Sequence, residues 1–480
     1  MFSYKGGLLI LQTAFQPLES LVFPNKLTSK MPNVLGVIVL ARNGDRLGYV
    51  QDPATYLSSS THLTPLGAVQ SHQLGSYLRS TYLNPSSPSY ITGLNPDLAN
   101  PRQVKVRAKA GGEGDPVFDS TIALLQGLFP PTPRNSIVLA NESVVTAPLG
   151  GYQYVPVETV EPGNDRSLEP WTSCPAFLKR VAQIHASDEF KAKEKETATV
   201  RFFDTVKDYV FGRERSLANI WNLYDFMQTQ LTYNQTYAYR LPPSLINTAH
   251  ALANFHEDAM FSDDDINGIG NIAARTLLHT ILTSLERIAF DGDPLQLLLI
   301  ESSYHPFISF FHATDIVDTY PELKGIPDPA SSLMIELIRG APPDTRDFLR
   351  FKFRNGSHPA QTVHVFGHRE DIPLTEFIYK SQDSVISNNR QWREVCTGKS
   401  VSASAFSTEN LNVNALLALG VFIFALFALG LSFKWRANKK RGVKLAGEEV
   451  STCNVYGYGA CDSGTTLQVA EKNLGTVRFV

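Results

Sequence analysis

The chain has 480 residues, 43% of them hydrophobic and 19% charged, enough to bury a large core in more than one lobe. Its net charge of -3 leaves no basic footprint for nucleic acid. Four cysteines are too few for a disulfide scaffold.

Residues 1–30 are ambiguous. Lys5 ahead of Leu8-Leu9-Ile10-Leu11 suits a short signal peptide, but Gln12 and Gln16 interrupt the apolar stretch and no small-x-small cleavage site stands out. The alternative is an extension ahead of a true start at Met31. Residues 34–40 form an apolar, β-branched run fit for a strand buried on both faces. The run breaks into Ala41-Arg42-Asn43-Gly44-Asp45-Arg46. Ligands sit at such carboxyl ends of strands, and two guanidiniums flanking a glycine could converge on a phosphate, with Asp45 as a ready partner for either. A helix is expected over 64–82, with Thr64 as N-cap, Pro65 at the first helical position, and Leu66, Val69, Leu74, Tyr77 and Leu78 as the stripe packed on the sheet.

Residues 104–108 alternate like a strand, and a glycine-rich loop leads to the apolar segment 119–131. From 171 to about 288 the pattern is one of charged amphipathic helices, such as 189–210 and 216–230. Asp263-Asp264-Asp265 reads as a capping or solvated turn rather than a metal site, and no metal or cofactor is expected. A helix over 273–288, a buried strand over 295–300 and a strand within 327–336 follow. Three sequons, at Asn141, Asn234 and Asn355, precede residue 410. Residues 415–433 carry no charge and are long enough to cross a bilayer as a helix. The cations from Lys434 to Lys444 set the cytoplasmic side, so the expected order is a lumenal or extracellular domain at 31–410, one membrane span at 415–433 and a cytoplasmic tail at 434–480.

The loop at 42–46 resembles the first signature of the histidine acid phosphatases, branch two of the histidine phosphatase superfamily, which reads Arg-His-Gly-x-Arg. The helix Leu63-Thr64-Pro65-Leu66-Gly67-Ala68-Val69-Gln70 with Leu74-Gly75-Ser76-Tyr77-Leu78-Arg79 resembles the family's L-T-x-x-G-x-x-Q-x-x-x-L-G-x-x-L-R. Residues 115–131 are similar to its D-R-T helix ending in G-L-F-P-P, and Ser303-Tyr304-His305-Pro306 to its S-x-H-D signature. Gly367-His368-Arg369-Glu370-Asp371 is a decoy for that pair, because residues 363–377 match a later strand and helix start.

The resemblance implies an α/β fold, a phosphoglycerate mutase-like three-layer α/β/α domain roofed by an inserted helical lobe at about 171–288. It also implies a disulfide between Cys174 and Cys396. In the family mechanism a histidine attacks phosphorus, arginines and a second histidine hold the phosphoryl oxygens, and an aspartic acid protonates the leaving alcohol. On that pattern Arg42, Arg46 and His305 remain for phosphate, whereas Asn43, Pro116 and Pro306 stand where the nucleophile, a third arginine and the acid belong. A carboxamide is no useful nucleophile and proline carries no transferable proton. The expectation is therefore a membrane-anchored pseudoenzyme that binds an anion or a partner. One rival is an active acid phosphatase using Lys109 or Arg107 with Glu301 or Asp45. Another is a receptor or scaffold that uses only the fold.

Overall fold

The computed structural model describes residues 33–398. The signal-peptide, membrane-span and tail assignments lie outside the described residues, among which no helix is long and apolar enough to cross a membrane.

The first strand, β1 (Asn33–Arg42), is buried along nearly its whole length because both faces are covered. It is followed by α1 (Pro65–Tyr82), β2 (Val104–Lys109) and α2 (Pro116–Leu128). A small hairpin, β3 (Ser136–Val138) and β4 (Val144–Thr146), precedes the edge strand β5 (Glu158–Val160). The helical lobe comprises α3 (Pro175–Ala186), α4 (Asp188–Lys195), α5 (Thr197–Val206), α6 (Ile220–Tyr233), α7 (Gln235–Arg240) and α8 (Pro243–Phe261). The chain then returns to the sheet through α9 (Ile272–Ala289), β6 (Leu297–Ser302), α10 (His305–Ala313), β7 (Ser332–Arg339) and β8 (Asp347–Arg354). It continues through β9 (Gln361–Val363), β10 (Ile372–Pro373), α11 (Leu374–Ser381) and α12 (Asn389–Thr397).

The main sheet runs β10-β8-β7-β1-β6-β2-β5, with β9 on β8. β1, β6, β2 and β5 are parallel, while β7 is antiparallel to β1 and β8. On one face Val37, Val39 and Leu299 pack against Leu74, Leu78 and Leu124 of α1 and α2. On the other, Ile38, Leu40 and Ile300 pack against Leu277, Ile281 and Phe307 of α9 and α10. The layers are therefore helix, sheet, helix. The lobe has its own core around Trp171, Phe177, Trp221 and Phe261. Cys174, at the start of α3, is joined to Cys396 of α12, 222 residues away.

Several expectations need correction. In α1 the cap is as read, Thr64 Oγ1 accepting from Gly67 N–H at 3.1 Å, but the buried stripe is Gly67, Ser71, Leu74, Gly75, Leu78 and Tyr82. Leu66 and Val69 are 42% and 52% exposed. The cause is close packing on α2: a Cβ at Gly75 would overlap the Leu124 carbonyl, so small residues rather than large apolar ones mark the contact face. The helix expected over 189–210 is two, because Glu196 is extended (φ -57°, ψ 135°). The break lets Phe190 and Phe202 both reach the lobe's core. The strand read within 327–336 begins only at Ser332. Pro327 and Pro329, which lack N–H groups, keep the preceding loop out of the ladder. The hairpin stands apart: Ile137, Val138, Val144 and Val145 are 48–66% exposed, with Asn141 in its turn.

Candidate functional site

The loop after β1 is pinned from three sides. Asn43 N–H donates to the Ser302 carbonyl of β6 at 3.1 Å, and its own carbonyl accepts from Ala330 N–H at 3.1 Å. Gly44 N–H donates to Ser120 Oγ of α2 at 2.9 Å. Only glycine fits there, because a Cβ on Gly44 would strike the Gly67 backbone of α1. Such anchoring fixes Arg42, Asn43 and Arg46 at the carboxyl end of the sheet, on the wall of a cavity of about 190 Å³ roofed by Trp221, Tyr224 and Asp225 of α6.

The arginines differ in their partners. Arg46 makes a two-pronged pair with Asp225, at 2.9 and 3.3 Å, and lies 3.7 Å over the Tyr49 ring. Asp225 also accepts from Tyr49 N–H at 3.1 Å. Burial works against the Arg46 charge, yet Asp225 outweighs it and the pKa is raised. Arg42 donates to the Pro327 carbonyl, its Nε has no hydrogen-bond partner among the described residues, and its guanidinium carbon lies 5.5 Å from the centre of the Tyr304 ring. Burial, then the neighbouring Arg46, lower its pKa. Asp45 pairs with neither arginine. It accepts from Thr64 Oγ1 at 2.6 Å and from the Tyr233 hydroxyl, joining the cap of α1 instead.

Asn43 lies at the cavity wall, but its amide nitrogen donates to the adjacent Gly44 carbonyl at 2.8 Å. Among the described residues that line this cavity there is no histidine, cysteine or serine, and the hydroxyls there belong to Thr229, Thr232 and Tyr224. His305 stands behind it rather than in it. It is 2% exposed and packed among Tyr304, Trp171 and Phe261, with ring centres 3.9, 4.6 and 4.7 Å away. Its Nδ1 meets Ser303 Oγ at 2.9 Å, while Nε2 is 4.0 Å from Glu257 Oε2 with no hydrogen bond. Burial first, then Lys109, Arg42 and Arg46, push its pKa well down, so the ring is neutral.

The side chain that the end of β6 sets beside Arg42 is Tyr304, one residue before the histidine chosen from the sequence. Its hydroxyl donates to Glu257 at 2.7 Å and accepts from Gln51 at 3.1 Å. Pro306 and Pro116 are buried in the first turns of α10 and α2, where a missing N–H costs nothing.

The substitute groups are engaged elsewhere. Lys109 is paired with both Glu113 and Glu169. Arg107 binds Glu158 and Asp165, beside a separate 430 Å³ cavity facing α9. Glu301 is fully buried, in register with Ala41 and Ala108, on the face toward α1 and α2. Neither of its oxygens has a hydrogen-bond partner among the described residues, and burial drives its pKa well above the usual carboxyl range. Of the sequons, Asn141 lies in an exposed turn with its Oδ1 on Ser143, Asn234 is the exposed N-cap of α7 and accepts from Tyr237 N–H at 3.1 Å, and Asn355 Oδ1 is held by Asp328 N–H and Ser331 Oγ, both at 2.8 Å. Asp225, Asp328, Glu257 and Tyr304 were not read from the sequence. Only Tyr304 had a local signal, its place beside a candidate histidine.

The profile of the histidine phosphatase superfamily (branch 2) matches residues 8–354. Among curated relatives, lysosomal acid phosphatase of Bos taurus is 26% identical over 412 residues, covering 83% of this chain and 88% of the relative. Prostatic acid phosphatase of Rattus norvegicus is 25% identical over 379 residues, covering 76% and 89%. In three dimensions the chain is similar to the phytase of Citrobacter braakii, with a TM-score of 0.52 and 15% identity, over 74% of this chain and 98% of that one. The sequence profile spans well over half of the chain, which belongs to the histidine phosphatase superfamily, branch 2.

Proposed function

We propose that this chain is a membrane-anchored, non-hydrolytic acid phosphatase-like protein that uses the Arg42 cavity to bind an anion. The observation that carries the reading is the cavity wall: among the described residues that line it, Asn43, Tyr224 and Asp225 stand with Arg42 and none is a histidine or cysteine, while His250 stacks on Tyr224 with ring centres 4.9 Å apart. With Asn43 where the family has its histidine, the family's two-step covalent route is closed. With Pro306 at the acid position, protonation of the leaving alcohol falls to the cavity's own carboxylates, of which Asp225 is tied to Arg46 and Asp45 to Thr64 and Tyr233, and loss of a positioned acid typically costs about 10²–10⁴ in rate. Binding does not need either group. Arg42 is charged, buried and short of one partner, and a charge-assisted hydrogen bond there is worth roughly 1.5–3 kcal/mol. The Cys174–Cys396 bond supports a lumenal or extracellular domain, because such bonds persist in oxidising compartments. The cations after residue 433 support the matching orientation.

The test is hydrolysis of p-nitrophenyl phosphate across acid pH by the full-length protein in detergent. The native chain should be no faster than Arg42→Ala, and Asn43→His should restore little while Pro306 and Pro116 stand. Turnover that disappears with Arg42→Ala would overturn the reading.

A further inference from the structure

We infer that the ligand of the Arg42 cavity carries two anionic groups, one held at Arg42 and the other at Arg354 in an adjoining cavity. The inference rests on the anion-binding reading of Arg42 and adds the ligand's class.

The buried and half-buried cations differ in their partners. Lys109 has Glu113 and Glu169, Arg46 has Asp225, Lys352 has Glu336 and Arg350 has Asp371. Arg275 donates to the Ser384 and Asn267 carbonyls and has Asp265 within electrostatic reach. Arg42 and Arg354, each 9% exposed, have no ion pair among the described residues. Each bonds only a carbonyl, Pro327 for Arg42 and Gly356 for Arg354. Each also faces one aromatic ring, Tyr304 at 5.5 Å and Tyr77 at 5.1 Å. A guanidinium taken from water with no counter-charge is costly, and native proteins tolerate it where a bound anion completes the pair.

The two charges border connected space. Arg354 lines a cavity of about 290 Å³ that shares Gln70, Asp328 and Pro329 with the 190 Å³ cavity of Arg42. Register places Arg354 level with Ala41 through Ser332 of β7, on the face toward α1, while Arg42, the next residue of β1, leaves from the opposite face, so the two reach the shared space around the carboxyl edge of the sheet. One strand therefore separates the two arginines, about 10 Å between backbones at two strand spacings. Gln70 Oε1 accepts from Asp45 N–H at 2.8 Å, which leaves its amide donors for a ligand. Asp328 is exposed at the junction and makes no ion pair among the described residues. Its carboxylate borders both cavities and adds negative charge to the space they share. The ligand is thus two separated anionic groups on a neutral or cationic linker, not one compact polyanion.

The experiment is calorimetric titration of the full-length protein in detergent with methylphosphonate and with α,ω-alkanediphosphonates of increasing chain length. Affinity should peak at an intermediate length, at least about tenfold tighter than methylphosphonate, since the second contact is intramolecular. Arg354→Gln should bring the best diphosphonate down to the methylphosphonate level, Arg354→Lys should keep part of the gain, and Asp328→Asn should enlarge it. The length profile needs only the native chain, so misfolding of the Gln variant leaves the test intact. A flat profile, or a gain that survives Arg354→Gln, overturns the inference. Hydrolysis of p-nitrophenyl phosphate that depends on Arg42 would instead overturn the reading beneath it, with the length profile still deciding the second anion position.

Discussion

Lys109 and Arg42 end strands that flank β6, and both are buried cations at the carboxyl edge of one sheet. Lys109 is enclosed by two carboxylates and its pKa is raised, whereas Arg42 has a carbonyl, an aromatic ring and an idle Nε. One side of the edge is electrostatically finished and the other is not. The contrast separates residues that hold the fold from residues left available, a distinction that burial alone does not make.

The largest effect should come from breaking the finished side. Lys109→Met leaves Glu113 and Glu169 buried without their cation and should cost about 3–5 kcal/mol in urea unfolding. Arg42→Gln removes a charge that nothing compensates and should cost nothing or stabilise. Equal losses would erase the contrast. An intermediate effect should follow from turning one arginine into the other kind. Asp225→Asn strips Arg46 of its partner, should destabilise by roughly 1.5–3 kcal/mol, and should tighten phosphate binding about tenfold, the equivalent of one extra 1.4 kcal/mol contact. Unchanged affinity would mean that Arg46 cannot reach the ligand.

The smallest effect concerns pH. His305 is held neutral, its folded pKa lying well below the unfolded value. The unfolded chain therefore binds the extra proton first, and the contribution is complete above about pH 6.5 and lost as pH falls, by up to ~1.4 kcal/mol per unit. His185, pushed down to about 4 by burial and by His256, adds to the same slope. His305→Gln should flatten the decline measured between pH 7 and pH 5. It should leave the pH dependence of phosphate binding unchanged, because the imidazole is outside the cavity.

The sequence made the sheet's first strand, the cap of α1 and the arginine loop legible because each is written in adjacent residues. Asp225 was not legible because it meets Arg46 across 179 positions, and no local pattern marks a helix residue as a counter-ion. Arg354 was missed for the same reason, and β8 with it. The face of α1 was misread because apolar periodicity has no sign for helices that meet through Gly67, Ser71 and Gly75. His305 was placed in the pocket on motif alone, while its cage draws on Trp171 and Phe261, from distant parts of the chain.

The apolar hairpin of β3 and β4 has a consequence for how this protein can be handled. Its two short strands leave their outer edges unpaired among the described residues, with valines and isoleucine in water on both faces, a template for strand addition by any neighbouring chain. Natural sequences guard such ribbons with a charge or a proline; here Pro133, Arg134 and Pro148 stand at the flanks and Glu142 in the turn, but neither strand carries a guard within it. A sugar on Asn141 would supply the guard by bulk. Material made without glycosylation should self-associate through this ribbon, which light scattering before and after enzymatic deglycosylation would register.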